Sequence, residues 1–237
     1  MIIRPQDNSL LFITQPDHAR LAADLLAHWT ADGFATHPRR EAILLAAREH
    51  DNGWREIDGT PLFSSATGTA LDFMTVGDDV KQGVWSRALD RVAPASAYAA
   101  ALVAHHAVFV YDGQRQNPAW HAFFEQTAAR RDQELARSGH TDEELQQDYP
   151  FVGVADLLSL SFCNAWTDER ERFGRRVRYA DGAIDVTPDL FSDIVPVRIR
   201  VRRLPNRRYA SAADLRAAFD DTAPEILEGH ARGAHAS

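Results

Sequence analysis

Apolar side chains recur at the spacing of one helical face along most of the chain between residues 15 and 163. Prolines and small polar residues, which favour helix N-termini, interrupt this pattern at several positions. It predicts helices that begin near Gln15, before the apolar run 43–51, at Asp78 or Asp79, at Pro94, at Asn117, at Thr141 and at Pro150, and a last helix after Ser211.

A period of two residues replaces the helical period at both ends of the chain. It predicts strands at 1–4, 10–14, 176–179, 183–186 and 197–202, the first four as two hairpins. The sequence thus predicts a mainly α fold, a helical bundle with a small antiparallel β-sheet formed by the N- and C-terminal segments. We expect a single domain over residues 1–237, with a helical core at about 15–166 and a β-rich appendage at about 175–228.

Four polar side chains lie on the apolar faces of these predicted helices. His18 shares its face with leucines, His50 and Asp51 end the second apolar run, and Asp156 is the only charged residue in its predicted helix. Burying such groups is costly unless they are paired, and a divalent metal ion is a strong partner. Other interpretations stay open: a salt-bridged helix end for His50-Asp51, a hydrogen-bonded core residue for His18, and a buried hydrogen-bond network for Asp156.

His105 and His106 form a second histidine cluster, inside the predicted helix that starts at Pro94 and is apolar on nearly all sides. Two neutral imidazoles in such a helix need polar partners. Histidine nitrogens and carboxylate oxygens at the centre of a helical bundle suit Zn, Mn, Fe and other divalent metals. The joint occurrence of these residues therefore favours a metal site.

Composition limits the classes of partner and the compartment. The net charge is −8 and Lys81 is the only lysine among 26 basic residues, which argues against general binding of nucleic acids or of anionic membranes. Cys163 is the only cysteine and cannot form an internal disulfide, as suits a reducing compartment. The first residues lack the basic and apolar regions of a signal peptide. We therefore expect a cytoplasmic protein.

Two further segments each have two open interpretations. The long segment 52–77 carries Trp54 directly after the His-Asp pair, and it is either a substrate wall or lid, or a loop anchored by its aromatic side chains. Between Arg170 and Arg208, 11 arginines stand against 5 acidic residues. These arginines form either the solvent face of the sheet or a patch for phosphate or an acidic partner.

The order of a first histidine, a later His-Asp pair and a distant aspartate resembles the HD-domain superfamily of metal-dependent phosphohydrolases over about residues 15–166. More closely, four motifs resemble an uncharacterised bacterial family of HD-like proteins with no assigned reaction: Gln15-Pro16-Asp17-His18, His50-Asp51-Asn52-Gly53-Trp54, Leu102-Val103-Ala104-His105-His106 and Asp156-Leu157-Leu158-Ser159-Leu160. Signalling members commonly have lysine where this chain has Trp54, and the chain has no Gly-Tyr-Pro motif. This departure argues against a cyclic-dinucleotide phosphodiesterase.

The resemblance implies that His18, His50, Asp51 and Asp156 ligate a metal ion, with His105 and His106 available for a second metal or the substrate. Of these two histidines we favour His106. The expected cofactor is a divalent ion (Mn, Fe, Zn, Ni, Co or Mg), one or two per chain.

The expected activity is the hydrolysis of a small-molecule phosphate ester, perhaps a nucleotide, by metal-bound water. Asp51 would take the proton of the water, while His106, together with His105, would steady the leaving or non-bridging oxygen. Gln15 and Trp54 would contact the substrate. Two alternatives remain: a di-iron HD-type oxygenase, and a catalytically silent ligand-binding or interaction module with the Arg-rich strands as its partner surface.

Overall fold

A computed structural model describes residues 1–233 and contains both packed helices and a large sheet. Helix accounts for 52% of the structure and strand for 21%. The helices are α1 (Gln15–Ala27), α2 (Arg40–Glu49), α3 (Arg55–Asp58), α4 (Asp78–Val92), α5 (Ala97–Val110), α6 (His121–Ser138), α7 (Asp142–Asn164) and α8 (Ala212–Asp221). The strands are β1 (Ile2–Gln6), β2 (Ser9–Ile13), β3 (Leu62–Ser64), β4 (Thr69–Leu71), β5 (Arg170–Arg172), β6 (Arg175–Ala180), β7 (Ala183–Thr187), β8 (Val195–Pro205) and β9 (Glu225–Gly233).

Several local predictions are confirmed. Strands β1 and β2 form the N-terminal hairpin, and β6 and β7 form the second hairpin around Asp181 and Gly182, which both have positive φ. The side chain of Thr141 caps α7 in a capping box with Glu144. Ser211 caps α8 by accepting a hydrogen bond from the backbone N–H of Asp214.

The prediction of a mainly helical bundle with a small antiparallel sheet is wrong. Seven strands form one sheet in the order β1-β2-β8-β9-β7-β6-β5, and this sheet curls into a half-barrel. It is also mixed, because β7 and β9 pair in parallel. A separate hairpin, β3–β4, lies within the segment 52–77 that the sequence pattern left without regular structure.

Strand β9 is the physical reason for this difference. It reads Glu-Ile-Leu-Glu-Gly-His-Ala-Arg-Gly, which lacks the alternation that identifies a strand from sequence. Its backbone pairs with β8 on one side and with β7 on the other, so that it joins the two predicted hairpins into one sheet. Gly229 in this strand also allows close packing, since a Cβ there would lie 2.4 Å from the ring of Phe162 in α7.

The predicted helix start at Pro150 is also wrong, because α7 continues through this residue from Asp142 to Asn164. A proline inside a helix costs about 3 kcal/mol through its missing N–H and its clash with the preceding turn. Helix α7 buries 15 of its 23 residues, and this burial outweighs the cost. As a result, Tyr149, Asp156 and Ser159 lie on one continuous helix.

Helices α2 and α7 contact each other and both contact α1 and α5, and the sheet packs on α1 and α7. The main hydrophobic core contains side chains from the helices and from the sheet alike. Residues 234–237 of the predicted domain lie outside the described part of the chain. Within residues 1–233, no helix combines the length and the apolar composition that a segment needs to span a bilayer.

Candidate metal centre

The four ligands implied by the sequence come from three helices that meet in the core. His18 lies in the second turn of α1, His50 and Asp51 follow the last residue of α2, and Asp156 lies in the middle of α7. All four are buried, with exposed fractions of 0% for His18, 1% for His50, 7% for Asp51 and 3% for Asp156. The structure therefore brings together the residues that helical periodicity turned inward.

The donor atoms of these side chains converge on one point. Nε2 of His18 lies 3.1 Å from Oδ1 of Asp156, 3.3 Å from Nε2 of His50 and 3.7 Å from Oδ2 of Asp51. Nε2 of His50 lies 3.5 Å from both carboxylates. An ion with bonds of about 2.1 Å separates neighbouring ligands by about 3.0 Å in an octahedron and about 3.4 Å in a tetrahedron. The observed separations are close to these ligand-to-ligand distances, and the donor atoms of His18, His50 and Asp51 all lie within 4.8 Å of one another, so this group could hold a metal ion.

Hydrogen bonds on the far side of each imidazole leave Nε2 free to act as a ligand. Nδ1 of His18 lies 2.7 Å from the hydroxyl of Ser159, which itself donates to the carbonyl of Asp156. Nδ1 of His50 lies 2.8 Å from the carbonyl of Ala47, which can only accept. In its neutral form each ring therefore carries its proton on Nδ1 and offers Nε2 as a ligand, the arrangement that orients histidine ligands in metal sites.

A fifth charged group, Arg172, contacts the same cluster and was not predicted from the sequence. Its Nη1 donates to Oδ2 of Asp156 at 2.6 Å and to the carbonyl of Gly153 at 2.8 Å. Arg172 comes from the end of β5, which no sequence pattern connects with α7. The oxygen that faces His18 and His50 is Oδ1, so the arginine leaves that oxygen available.

The turn between β5 and β6 places Arg172 over α7. Phe173 in this turn has φ +50°, a conformation that costs a bulky residue about 1 kcal/mol or more, and Gly174 follows with φ +72°. Gly153 makes room for the turn, because a Cβ there would lie 2.7 Å from the ring of Phe173. The glycine in α7 is thus explained by the close approach of the hairpin that carries Arg172.

The electrostatics of the cluster favour a cation. Burial would lower the pKa of His50, but the carboxylates of Asp51 and Asp156 outweigh burial and raise this pKa to about 9. Burial also opposes ionisation of Asp156, yet hydrogen bonds from His18 and His50 and the charge of Arg172 hold its pKa well below the usual value. Burial raises the pKa of Asp51, although the two histidines counteract it. The two carboxylates thus stabilise positive charge at this buried point. For the same reason, the donor set suits a divalent cation.

The two neighbouring histidines of α5 differ in their placement. His106 is buried, with Nε2 at 3.9 Å from Oδ2 of Asp156 and Nδ1 at 2.9 Å from the hydroxyl of Tyr149, and burial keeps its pKa well below the ordinary value. The ring of His105 packs against the ring of Tyr149 with centroids 4.4 Å apart, and His105 is absent from the pocket lining. Burial lowers the pKa of His105 to about 4. Only His106 reaches the cluster.

A pocket of about 430 Å³ opens above the cluster. His18, Asp51, His106 and Asp156 line its floor, and both predicted substrate residues, Gln15 and Trp54, line it as well. The wall is completed by Phe73, Met74, Lys81, Trp85, Phe109, Val110, Tyr111, Leu160 and Arg172. The segment 52–77 thus supplies part of the wall, through Trp54, Phe73 and Met74.

Gly53 explains why α4 reaches this pocket. A Cβ on Gly53 would lie 1.9 Å from the carbonyl of Val84, so only glycine lets the turn after Asp51 touch α4. The contact brings Lys81 and Trp85 to the pocket. Nζ of Lys81 donates to the carbonyl of Met74 at 2.9 Å and lies 4.0 Å from Asp78. The only lysine of the chain therefore stands in the wall of the candidate site.

The family model described as "Protein of unknown function (DUF3891)" matches residues 1–206. The match contains every residue of the cluster and of the pocket wall and ends just after β8. No curated protein and no solved structure matches the chain.

Proposed function

Because the chain belongs to DUF3891, a family of unknown function, its activity is inferred from the site, and we propose that it is a metal-dependent hydrolase of small-molecule phosphate esters. Kinship with HD-domain enzymes stays a prediction that rests on the order of His18, the His50-Asp51 pair and Asp156 in the sequence. The observation that carries the proposal is the pocket itself, which joins four imidazole and carboxylate donors to two cationic side chains, Lys81 and Arg172.

The donor set supports one ion. Among residues 1–233, two groups of three residues could each hold a metal, His18-His50-Asp51 and His50-His106-Asp156, and both depend on His50. Nδ1 of His50 is occupied by a backbone carbonyl, so the ring has one nitrogen to offer and binds one ion. His18, His50, Asp51 and Asp156 would hold it. A divalent ion at this point would lower the pKa of a coordinated water from 15.7 toward roughly 7 and polarise a phosphoryl oxygen.

The chain's own side chains supply the proton transfers. As the oxygen of water bonds to phosphorus and the P–O bond of the ester breaks, the carboxylate of Asp51 accepts the proton of the water and then gives this proton to the leaving oxygen. His106 faces the reacting group. Nδ1 of His106 lies 2.9 Å from the hydroxyl of Tyr149, which has no other hydrogen-bond partner within residues 1–233. We infer that the hydroxyl donates to Nδ1, so that the ring proton lies on Nε2. Nε2–H of His106 then donates to the leaving or non-bridging oxygen.

Lys81 and Arg172 give the pocket its preference for an anion. Both side chains are largely covered, with exposed fractions of 18% for Lys81 and 20% for Arg172, so their charges act at reduced dielectric. Arg172 has one nitrogen on Asp156 and keeps further N–H groups for a phosphoryl oxygen. Trp54 and Gln15 line the same pocket, where they can contact the substrate.

We expect the protein, loaded with Mn, Zn, Ni, Co or Mg, to release inorganic phosphate from at least one member of a panel of phosphate esters and nucleotides. His106→Ala is expected to lower turnover by about 10²-fold or more while metal content stays at the wild-type level, because a hydrogen-bond donor to the developing negative charge contributes that much and the four ligands remain. The measurements are phosphate release and metal content on the same preparations.

Two results would contradict the proposal. One is a panel that stays intact with every metal while an iron-loaded sample consumes oxygen, which would favour the oxygenase alternative. The other is a His106→Ala variant that turns over as fast as the wild type. A matched control is His121→Ala, which removes an exposed histidine at the start of α6 and should change neither phosphate release nor metal content.

A further inference from the structure

The mouth of the pocket carries a cluster of exposed apolar side chains. Six large hydrophobic residues are exposed among residues 1–233, and three of them line this pocket: Met74 at 51%, Phe109 at 37% and Val110 at 38%. A fourth, Phe173 at 43%, packs against Phe109 with ring centroids 5.4 Å apart. We call these four residues the apolar rim. Exposed apolar side chains that gather at one cleft mark a binding surface.

Polar and apolar groups are separated along the pocket. Among the pocket-lining residues, His18, Asp51, His106 and Asp156 are at most 7% exposed, whereas Met74, Phe109 and Val110 are 37–51% exposed, so the candidate ligands and His106 lie deeper than the rim. The guanidinium of Arg172 lies 5.6 Å from the ring centre of Phe109, so the polar part of the pocket adjoins the apolar rim at this contact. A ligand that places its anion at the floor must therefore lay the rest of its structure on aromatic and aliphatic side chains.

We propose that the substrate is a phosphomonoester whose leaving group is a flat apolar group, such as an aryl ring, held by the apolar rim. This inference rests on the proposed function and adds the chemical class of the substrate to it. Burial of an apolar ring against the rim stabilises the complex through the hydrophobic effect, and aromatic side chains add favourable edge and stacking contacts. The pocket volume of about 430 Å³ suits a ligand of this size.

The size and place of the rim favour a small molecule over a second copy of the chain. Four side chains at a pocket mouth cover far less than the roughly 800 Å² per partner that a stable protein interface needs. The rim is also continuous with the wall that holds Lys81 and Arg172. A ligand with one anionic end and one apolar end uses both parts at once.

The test compares phenylphosphonate with methylphosphonate, which carry the same anionic group and are not hydrolysed. Titration calorimetry of the Mn²⁺-loaded protein should give a dissociation constant about tenfold or more lower for phenylphosphonate, since the ring buries additional apolar surface.

Variants of the rim should reduce the ratio of the two dissociation constants. Met74→Ser and Val110→Ser should each reduce this ratio by about threefold or more. Lys81→Gln should weaken both ligands by the same factor. Ile226→Ser removes an equally exposed apolar side chain in β9 that is not part of the pocket, and it should leave the ratio unchanged.

Equal affinities for the two phosphonates would overturn the inference on the apolar group, while release of phosphate from small polar esters would leave the proposed function intact. If neither phosphonate binds, both the inference and the proposed function fail. Light scattering tests whether a second copy of the chain binds the apolar rim instead. Rim variants that convert a dimer into a monomer, without changing the ratio of the two phosphonate dissociation constants, would assign the rim to a second copy and overturn the inference.

Discussion

Replacement of Asp156 with asparagine is expected to remove most of the thermal stabilisation that a divalent metal gives the protein. Oδ1 of Asp156 lies 3.1 Å from His18 and 3.5 Å from His50, so the substitution keeps the shape of the site but removes an anion next to the ion. Binding at 100 times the dissociation constant adds about 2.7 kcal/mol to the free energy of unfolding. For a chain of 237 residues this corresponds to a rise of roughly 5–10 °C in melting temperature.

Arg172 supplies the control for this experiment, because Asp156 is both a candidate ligand and the partner of that arginine. Arg172→Gln removes the same ion pair but leaves the carboxylate. Both variants should lower the melting temperature without metal, and only Asp156→Asn should lose the metal-induced rise. Melting curves of the wild type and both variants, each with and without metal, separate the two roles. Equal metal-induced rises in all three proteins would rule out Asp156 as a ligand.

Replacement of Asp148 with alanine is expected to have the largest effect on stability outside the site. Asp148 is fully buried and accepts hydrogen bonds from Nε of Arg39 at 2.6 Å, from Nη2 of Arg39 at 3.0 Å and from the hydroxyl of Tyr98 at 2.8 Å, while Nε2 of His37 lies 3.3 Å away. These bonds tie α7 to the start of α2 and to α5. The substitution leaves a largely covered guanidinium without its anion.

Breaking a buried ion pair on one side costs about 3–5 kcal/mol, which for this chain lowers the melting temperature by roughly 10 °C. Glu41→Ala is the matched control, since Glu41 pairs with Arg40 on the surface, has a side chain 89% exposed and should contribute less than about 1 kcal/mol. Thermal or denaturant unfolding measures both variants. Equal midpoints for the two would show that the Asp148 cluster does not hold the helices together.

The sequence predicted that the candidate ligands point into the core because their placement depends on local periodicity. His18 and Asp156 lie on the apolar faces of α1 and α7, and His50 and Asp51 directly follow the apolar face of α2, so burial of these faces turns the polar side chains into the core. Helix starts marked by capping residues, such as Thr141 and Ser211, were predicted for the same reason. These features require information from only a few neighbouring residues.

The extent of the sheet and the placement of Arg172 and Lys81 depend on contacts between segments that are distant in the sequence. Arg172 reaches Asp156 only because a strained turn packs on Gly153, and Lys81 reaches the pocket only because Gly53 touches α4. Strand β9 is held by the backbones of β7 and β8 rather than by its own pattern of side chains. No periodicity within a single segment contains this information, so the extent of the sheet and the cationic side of the site were missed.

Metal content is the most direct test of the metal centre. Protein purified without added metal is expected to contain about one transition metal ion per chain by elemental analysis, as the single set of donors around His50 implies. His50→Ala and Asp51→Ala should lose this metal, whereas His28→Ala, which removes an exposed histidine just after α1, should retain it. Unchanged occupancy in His50→Ala and Asp51→Ala, or a wild-type preparation that is fully active without metal, would contradict the account.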